Sequence, residues 1–241
     1  MDCGHIVLQG GAEFGGAMKL PDQRCIELAG GPDAHIVIIP TAAAPDNNHK
    51  RAGENGRRWF TGLGATNVRT VPLIDRASAA DASITDALAD ARLIYLLGGF
   101  PGYLCESLKD TPAWEAVLSA HAQGAVLAGS SAGAMVLCDH LYDPRTQQVV
   151  PGLGLIKTAI VLPHHDHFGQ HWAESLRLLL PDATLIGIDV ETGAISGNSL
   201  SEWTVHGGGN VTLYRPGQPV TMPEIYRPGE DLALPESPSE I

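Results

Sequence analysis

Hydrophobic positions in the first part of the chain come in short, nearly unbroken runs that end at or near Gly or Pro. They are HIVLQGG (5–11), HIVIIPTAAAP (35–45), TNVRTVPL (66–73), RLIYLLGG (92–99) and GAVLAGSS (124–131). Such runs suit strands buried on both faces of a sheet. Between them, stretches of helical period near 21–29, 48–63, 77–90, 104–122 and 132–140 are long enough to carry crossover connections. Strand and helix in alternation predict an α/β fold: a doubly wound, mostly parallel sheet with helices on both faces.

Past residue 150 the pattern continues with TAIVLP (158–163), a polar His-rich segment, a helix near 173–180 and TLIGIDV (184–190). The stretch WTVHGGGNVTLYRPG (203–217) holds two β-like runs flanking glycines, which predicts a C-terminal β-hairpin at the sheet edge. There is no internal repeat or low-complexity linker, so a single domain is expected over 1–230, with 231–241 as a tail.

Composition narrows the function. At 241 residues and 44% hydrophobic, the chain can bury a full core without disulfides or metals. Its 15 basic against 27 acidic residues, formal charge -12, and lack of any Lys/Arg-rich run argue against nucleic acid and anionic membrane as partners. Cys3, Cys25, Cys105 and Cys138 occur singly, and MDCGHIVLQGG lacks the charged start and apolar core of a signal peptide. A cytoplasmic protein with reduced thiols is expected, and no apolar run has the length of a membrane span.

The chemistry concentrates at LAGSSAGAMVLC (127–138), where Gly129-Ser130-Ser131-Ala132-Gly133 fits G-x-S-x-G with Ser131 central. A buried strand leads in and an apolar helix leads out, the context that forces a sharp turn and exposes a serine Oγ at the C-terminal edge of a sheet. The Ala132 N–H at the helix start can help hold an oxyanion. The competing reading is a packing turn of small residues, or a phosphate-binding helix start.

A nucleophilic serine needs a base, and LPHHDHFGQHW supplies His164, His165, His167 and His171 after a strand-like run. With Asp166 they could instead form a metal site, His167 and His171 being one helical turn apart, or a surface cluster without a role. A carboxylate should orient the imidazole, and GIDVETGAI places Asp189 and Glu191 just past another strand-like run.

The pieces GSSAGA, HF and IGIDVETGAI together resemble the serine peptidases of the aspartyl dipeptidase (peptidase E) and cyanophycinase group, with a class I glutamine amidotransferase-like fold. The likeness implies Ser131 as nucleophile, His167 as base and Glu191 as orienting acid, with Asp189, Asp143 or Asp139 as other acid candidates. IYLLGGFPGYL resembles the family's strand ending in a Gly-Gly turn, which implies Gly99, beside Gly98, as an oxyanion-hole partner of Ala132. PGLGLI (151–156) is a further matching piece. Also implied are a cytoplasmic homodimer, no cofactor, no metal and a short peptide substrate.

Two departures bear on that substrate. Phe100-Pro101-Gly102-Tyr103 stands where the family has polar residues after its glycines, and no arginine follows the histidines until Arg177. Phe100, His165 and His171 are therefore the candidate substrate contacts, and an aspartate pocket lacks its expected arginine. The alternatives are an esterase or amidase of another substrate class, cyanophycinase-like included, and an amidotransferase-like binding domain with an idle elbow.

Overall fold

The computed structural model describes residues 3–234. The five expected runs form β1 (Ile6–Gln9), β2 (Ile36–Ile39), β3 (Val68–Thr70), β4 (Leu93–Leu96) and β5 (Val126–Ser130), all mutually parallel in the order β1-β5-β4-β2-β3. Their side chains alternate between two cores. Leu8, Ile39, Leu96 and Leu127 face one side, and Val7, Ile38, Tyr95 and Ala128 face the other. Burial on both faces is why the strands read as continuous apolar runs.

The helices between them are α1 (Lys19–Leu28), α2 (His49–Gly62), α3 (Ala82–Ala89), α4 (Pro101–Leu108) and α5 (Pro112–Ala122). The single helix expected over 104–122 is thus two. Asp110 takes a left-handed conformation at φ 55°, and Thr111 starts a new helix by accepting the N–H of Trp114. Pro112 at the first helical position suits a start and not an interior.

The expected helix over 132–140 stops early, as α6 (Ala132–Met135). The carbonyls of Val136 and Leu137 are taken by the N–H groups of Leu153, Leu155 and Ile156, so the chain leaves the helix to form the hairpin β6 (His140–Asp143) and β7 (Gln148–Pro151).

The second half departs from one continuous parallel sheet. After β7 come β8 (Ala159–Leu162), α7 (Ala173–Leu179), β9 (Thr184–Ile188), β10 (Thr192–Ser196), β11 (Glu202–Gly207), β12 (Val211–Tyr214), β13 (Glu224–Tyr226) and β14 (Asp231–Ala233). Strands β10, β11 and β14 extend the main sheet antiparallel beyond β1, to eight strands. Strands β13-β12-β9-β8 form a second sheet.

The two runs flanking Gly207, Gly208 and Gly209 therefore pair into different sheets and not with each other. The C-terminal hairpin at an edge is made by β12 with β13 instead. Residues 231–233, placed in the tail by sequence, pair with β11, while 235–241 lie outside the described residues. No helix among the described residues is long and apolar enough to cross a membrane.

The packing behind Ser131 depends on two glycines. A Cβ on Gly129 would overlap the Gly133 carbonyl, and one on Gly133 would overlap the Leu96 carbonyl. Helix α6 can therefore approach β5 only because Gly129 is bare, and β4 only because Gly133 is. Replacing Gly129 by Ala should lower stability by about 1–3 kcal/mol, read as a lower urea midpoint, whereas an unchanged midpoint would show that this contact is not tight.

Candidate active site

The end of β1 and the two glycines after it organise the site. The carbonyl of Gln9 accepts the N–H of Ser131 at 2.9 Å, that of Gly10 accepts His164 at 2.7 Å, and that of Gly11 accepts Glu191 at 3.1 Å. All three donors sit in the left-handed region, with φ of 48°, 47° and 54°. For residues with a Cβ this conformation costs free energy, and the carbonyl row is what holds them there. Three segments far apart in sequence, ending β5, β8 and β9, are thus fastened side by side.

Beneath the elbow lies a buried polar chain. Gln9 donates its side-chain N–H to Asp22 (2.7 Å), Trp59 Nε1 donates to the other Asp22 oxygen (2.8 Å), and Tyr95 donates to Gln9 Oε1. Burial pushes the Asp22 carboxyl up to about 7, against the opposing pull of the Gln9 and Trp59 hydrogen bonds. The network fixes Gln9, whose carbonyl in turn fixes Ser131. Neighbouring Ser130 is fully buried.

The histidines sort differently from the sequence expectation. His164 Nε2 lies 3.1 Å from Ser131 Oγ, so a neutral ring can accept the hydroxyl proton. His164 stacks on Phe168 with centroids 5.0 Å apart, and its ring packs on Gly11, where a Cβ would overlap it. Burial lowers its pKa; Glu13 and Asp166 pull it up, and His167 pushes it down.

His167 does not reach Ser131. Its side chain is 63% exposed and lies 3.6 Å from Asp166. The pattern that pointed to it divides over two residues here: His164 follows Pro163, and His167 precedes Phe168. Because this stretch is a turn and not a helix, residues three apart face different ways.

His165 is buried and bridges Tyr214 Oη (2.9 Å) and Asp189 (3.4 Å), and His171 is exposed on a 3-10 turn. Neither joins Ser131 in a hydrogen bond. Among the described residues no group of three or more His, Cys, Asp or Glu is arranged to hold a metal ion.

The acid candidates are also placed. Burial raises the Asp189 pKa, but the hydrogen bonds from His165 and Asn210 outweigh it and hold the carboxyl below its usual value. That carboxylate belongs to His165. Asp143 accepts Arg145 N–H, and Asp139 accepts Thr158 N–H beside Lys157. Glu191 accepts the Ala17 N–H at 2.8 Å, and its carboxylate packs on Gly16. Among the described residues no carboxylate hydrogen-bonds to His164. Glu191 and His164 instead contact the same glycine-rich loop, 11–16, from its two ends.

Facing Ser131 is the Gly98-Gly99 turn after β4. Gly99 is left-handed (φ 141°), a Cβ there would overlap the Ala42 carbonyl, and Phe100 donates its N–H to that same carbonyl as it enters α4. A Cβ on Gly98 would stand 3.2 Å from Ser131 Cβ, so the turn lies directly against Ser131. The Gly98 N–H is taken by Glu13 Oε1 at 2.8 Å. Beside it opens a cleft of about 420 Å³ lined by Glu13, Phe14, Asn48, Arg51, Asn55 and Leu97, among others. Sequence reading missed Glu13, although an acid among glycines just after a strand end was a usable signal. Nothing in the sequence flagged Arg51, which arrives from α2.

The model of peptidase family S51 matches residues 6–194. A cyanophycinase of Geminocystis herdmanii (strain PCC 6308) is 31% identical over 202 residues, 79% of this chain and 73% of that protein. A cyanophycinase of Trichormus variabilis is 32% identical, over 78% of this chain and 65% of its own length. The crystal structure of a peptidase from an acI-B1 Actinobacterium superposes with a TM-score of 0.83 at 30% identity, covering 97% of this chain and 98% of the other.

Neutral His164 is the form able to take a proton, and burial favours that form, so reactivity should be lost only as pH falls through a value below the ordinary 6.5. A fluorophosphonate should label Ser131 with this pH profile. His164→Ala should abolish labelling, whereas His167→Ala should change its rate by less than about threefold. Loss of labelling in the His167 variant alone would refute the placement.

Proposed function

Because the chain belongs to peptidase family S51 and is a serine-type peptidase, we propose that it hydrolyses short peptides as an exopeptidase or dipeptidase, with Ser131 as nucleophile and His164 as general base. The observation that carries this reading is the 3.1 Å contact between Ser131 Oγ and His164 Nε2. His164 takes the hydroxyl proton as Oγ attacks the scissile carbonyl, then delivers it to the leaving amine. Water, deprotonated by the same ring, hydrolyses the acyl-enzyme.

The N–H groups of Ala132 and Gly99 are the oxyanion donors in this scheme. Ala132 follows Ser131 and Gly99 lies in the adjacent turn, and neither N–H is used in a backbone hydrogen bond outside the helices and strands among the described residues. Glu191 completes the group as a positioning residue. Its backbone N–H on Gly11 and its carboxylate on Ala17 brace the loop that supports the His164 ring.

The names of the relatives favour one second reading, a cyanophycinase-like hydrolysis, for which β-aspartyl peptides serve as the probe. A panel of Asp-X, Gly-X, β-aspartyl and p-nitrophenyl ester substrates separates the two. Turnover of α-linked dipeptides supports the first reading, and turnover confined to β-aspartyl peptides supports the second. Ser131→Ala should reduce hydrolysis of whichever substrate is cleaved by at least about 10⁴-fold with the fold intact by circular dichroism. Unchanged turnover would end both readings.

A further inference from the structure

Glu13 is delivered to the site by an unusual stretch of backbone. Ala12 (φ 61°) and Phe14 (φ 65°) flank it in the left-handed region, and Gly11 and Gly16 are left-handed as well. Residues with a Cβ adopt this conformation only under constraint, and such strain gathers at functional positions. The result is a carboxylate and the Ser131 side chain beside the same glycine, Gly98, where one added Cβ would meet both.

Glu13 Oε1 accepts the Gly98 N–H, and Glu13 makes no ion pair among the described residues. It is half-buried on the wall of the 420 Å³ cleft, a volume in the range of small-molecule sites. The same cleft holds one positive group. Arg51 rests its Nε on Asn48 Oδ1 at 2.9 Å, and its terminal nitrogens bond to nothing among the described residues. The amides of Asn48 and Asn55 line the same cleft, with Phe14 and Leu97 as its apolar walls.

A cleft with one fixed carboxylate, one guanidinium and neutral polar groups is complementary to a ligand with an ammonium at one end and a carboxylate at the other. Resting on the catalytic reading of Ser131, we infer that Glu13 binds the free amino group and Arg51 the free carboxylate of a short, uncapped peptide substrate. The two side chains make the enzyme select for free termini. Each charge is recognised by a charge-assisted hydrogen bond, and a neutral cap leaves its partner unpaired.

The experiment measures kcat/KM, by chromatography of the products, for a dipeptide panel in free, N-acetylated and C-amidated forms. Wild type, Glu13→Gln and Arg51→Gln are compared. Glu13→Gln is isosteric and keeps the acceptor for the Gly98 N–H, so the loop has no reason to move.

Wild type should favour free over N-acetylated peptides by on the order of 10- to 100-fold. Glu13→Gln should erase that ratio while keeping the discrimination against C-amides, and Arg51→Gln should do the reverse. A merely structural role would lower all forms alike and overturns the inference, as does a wild type indifferent to capping. Absence of any free-peptide turnover by a protein whose Ser131 still labels with fluorophosphonate also overturns it. Failure of Ser131 to label would instead overturn the catalytic reading beneath it.

Discussion

The site depends on a row of three carbonyls at the end of β1. Gln9, Gly10 and Gly11 accept the N–H groups of Ser131, His164 and Glu191 in turn. Each of those residues sits at a left-handed turn after a strand, which aims its side chain away from the strand it follows. Backbone hydrogen bonds are strong and their geometry is narrow, so three of them in register position three distant side chains more firmly than side-chain contacts alone would. The strain at each turn is offset at the place where the turns meet.

This explains why the fold needs two sheets. Ser131 comes from the main parallel sheet, while His164 and Glu191 follow β8 and β9 of the smaller one, and the end of β1 bonds to all three. The buried chain of Asp22, Gln9, Trp59 and Tyr95 anchors β1 from below. Burial acts on the titratable groups too. It disfavours the charged form of His164, and it keeps Asp22 able to hold a proton in a site where a bare charge would be costly.

Much of the fold was legible because its signals are local. Continuous apolar runs marked β1 to β5, and the Gly-Ser-Ser-Ala-Gly turn picked Ser131 over Ser130, which is buried. What was not legible depends on contacts between distant segments. The second sheet could not be read because the strands flanking Gly207–Gly209 look like a hairpin and diverge only through their partners. Choosing among His164, His165 and His167 required the direction of a turn, which φ at His164 sets and no pattern of residue types encodes. Arg51 enters the cleft because α2 packs beside the Gly98 turn, a consequence of topology alone.

The most direct measurement is a crystal structure of the protein with a phosphonate bound covalently at its reactive serine. Expected is an adduct on Ser131 Oγ with His164 Nε2 beside it, the phosphoryl oxygen about 3 Å from the Ala132 amide, and the Gln9, Gly10 and Gly11 carbonyls still bonded to their three partners. An adduct on Ser130, or one on Ser131 flanked by His167 with the His164 ring turned away, would contradict the carbonyl row as the device that assembles the site.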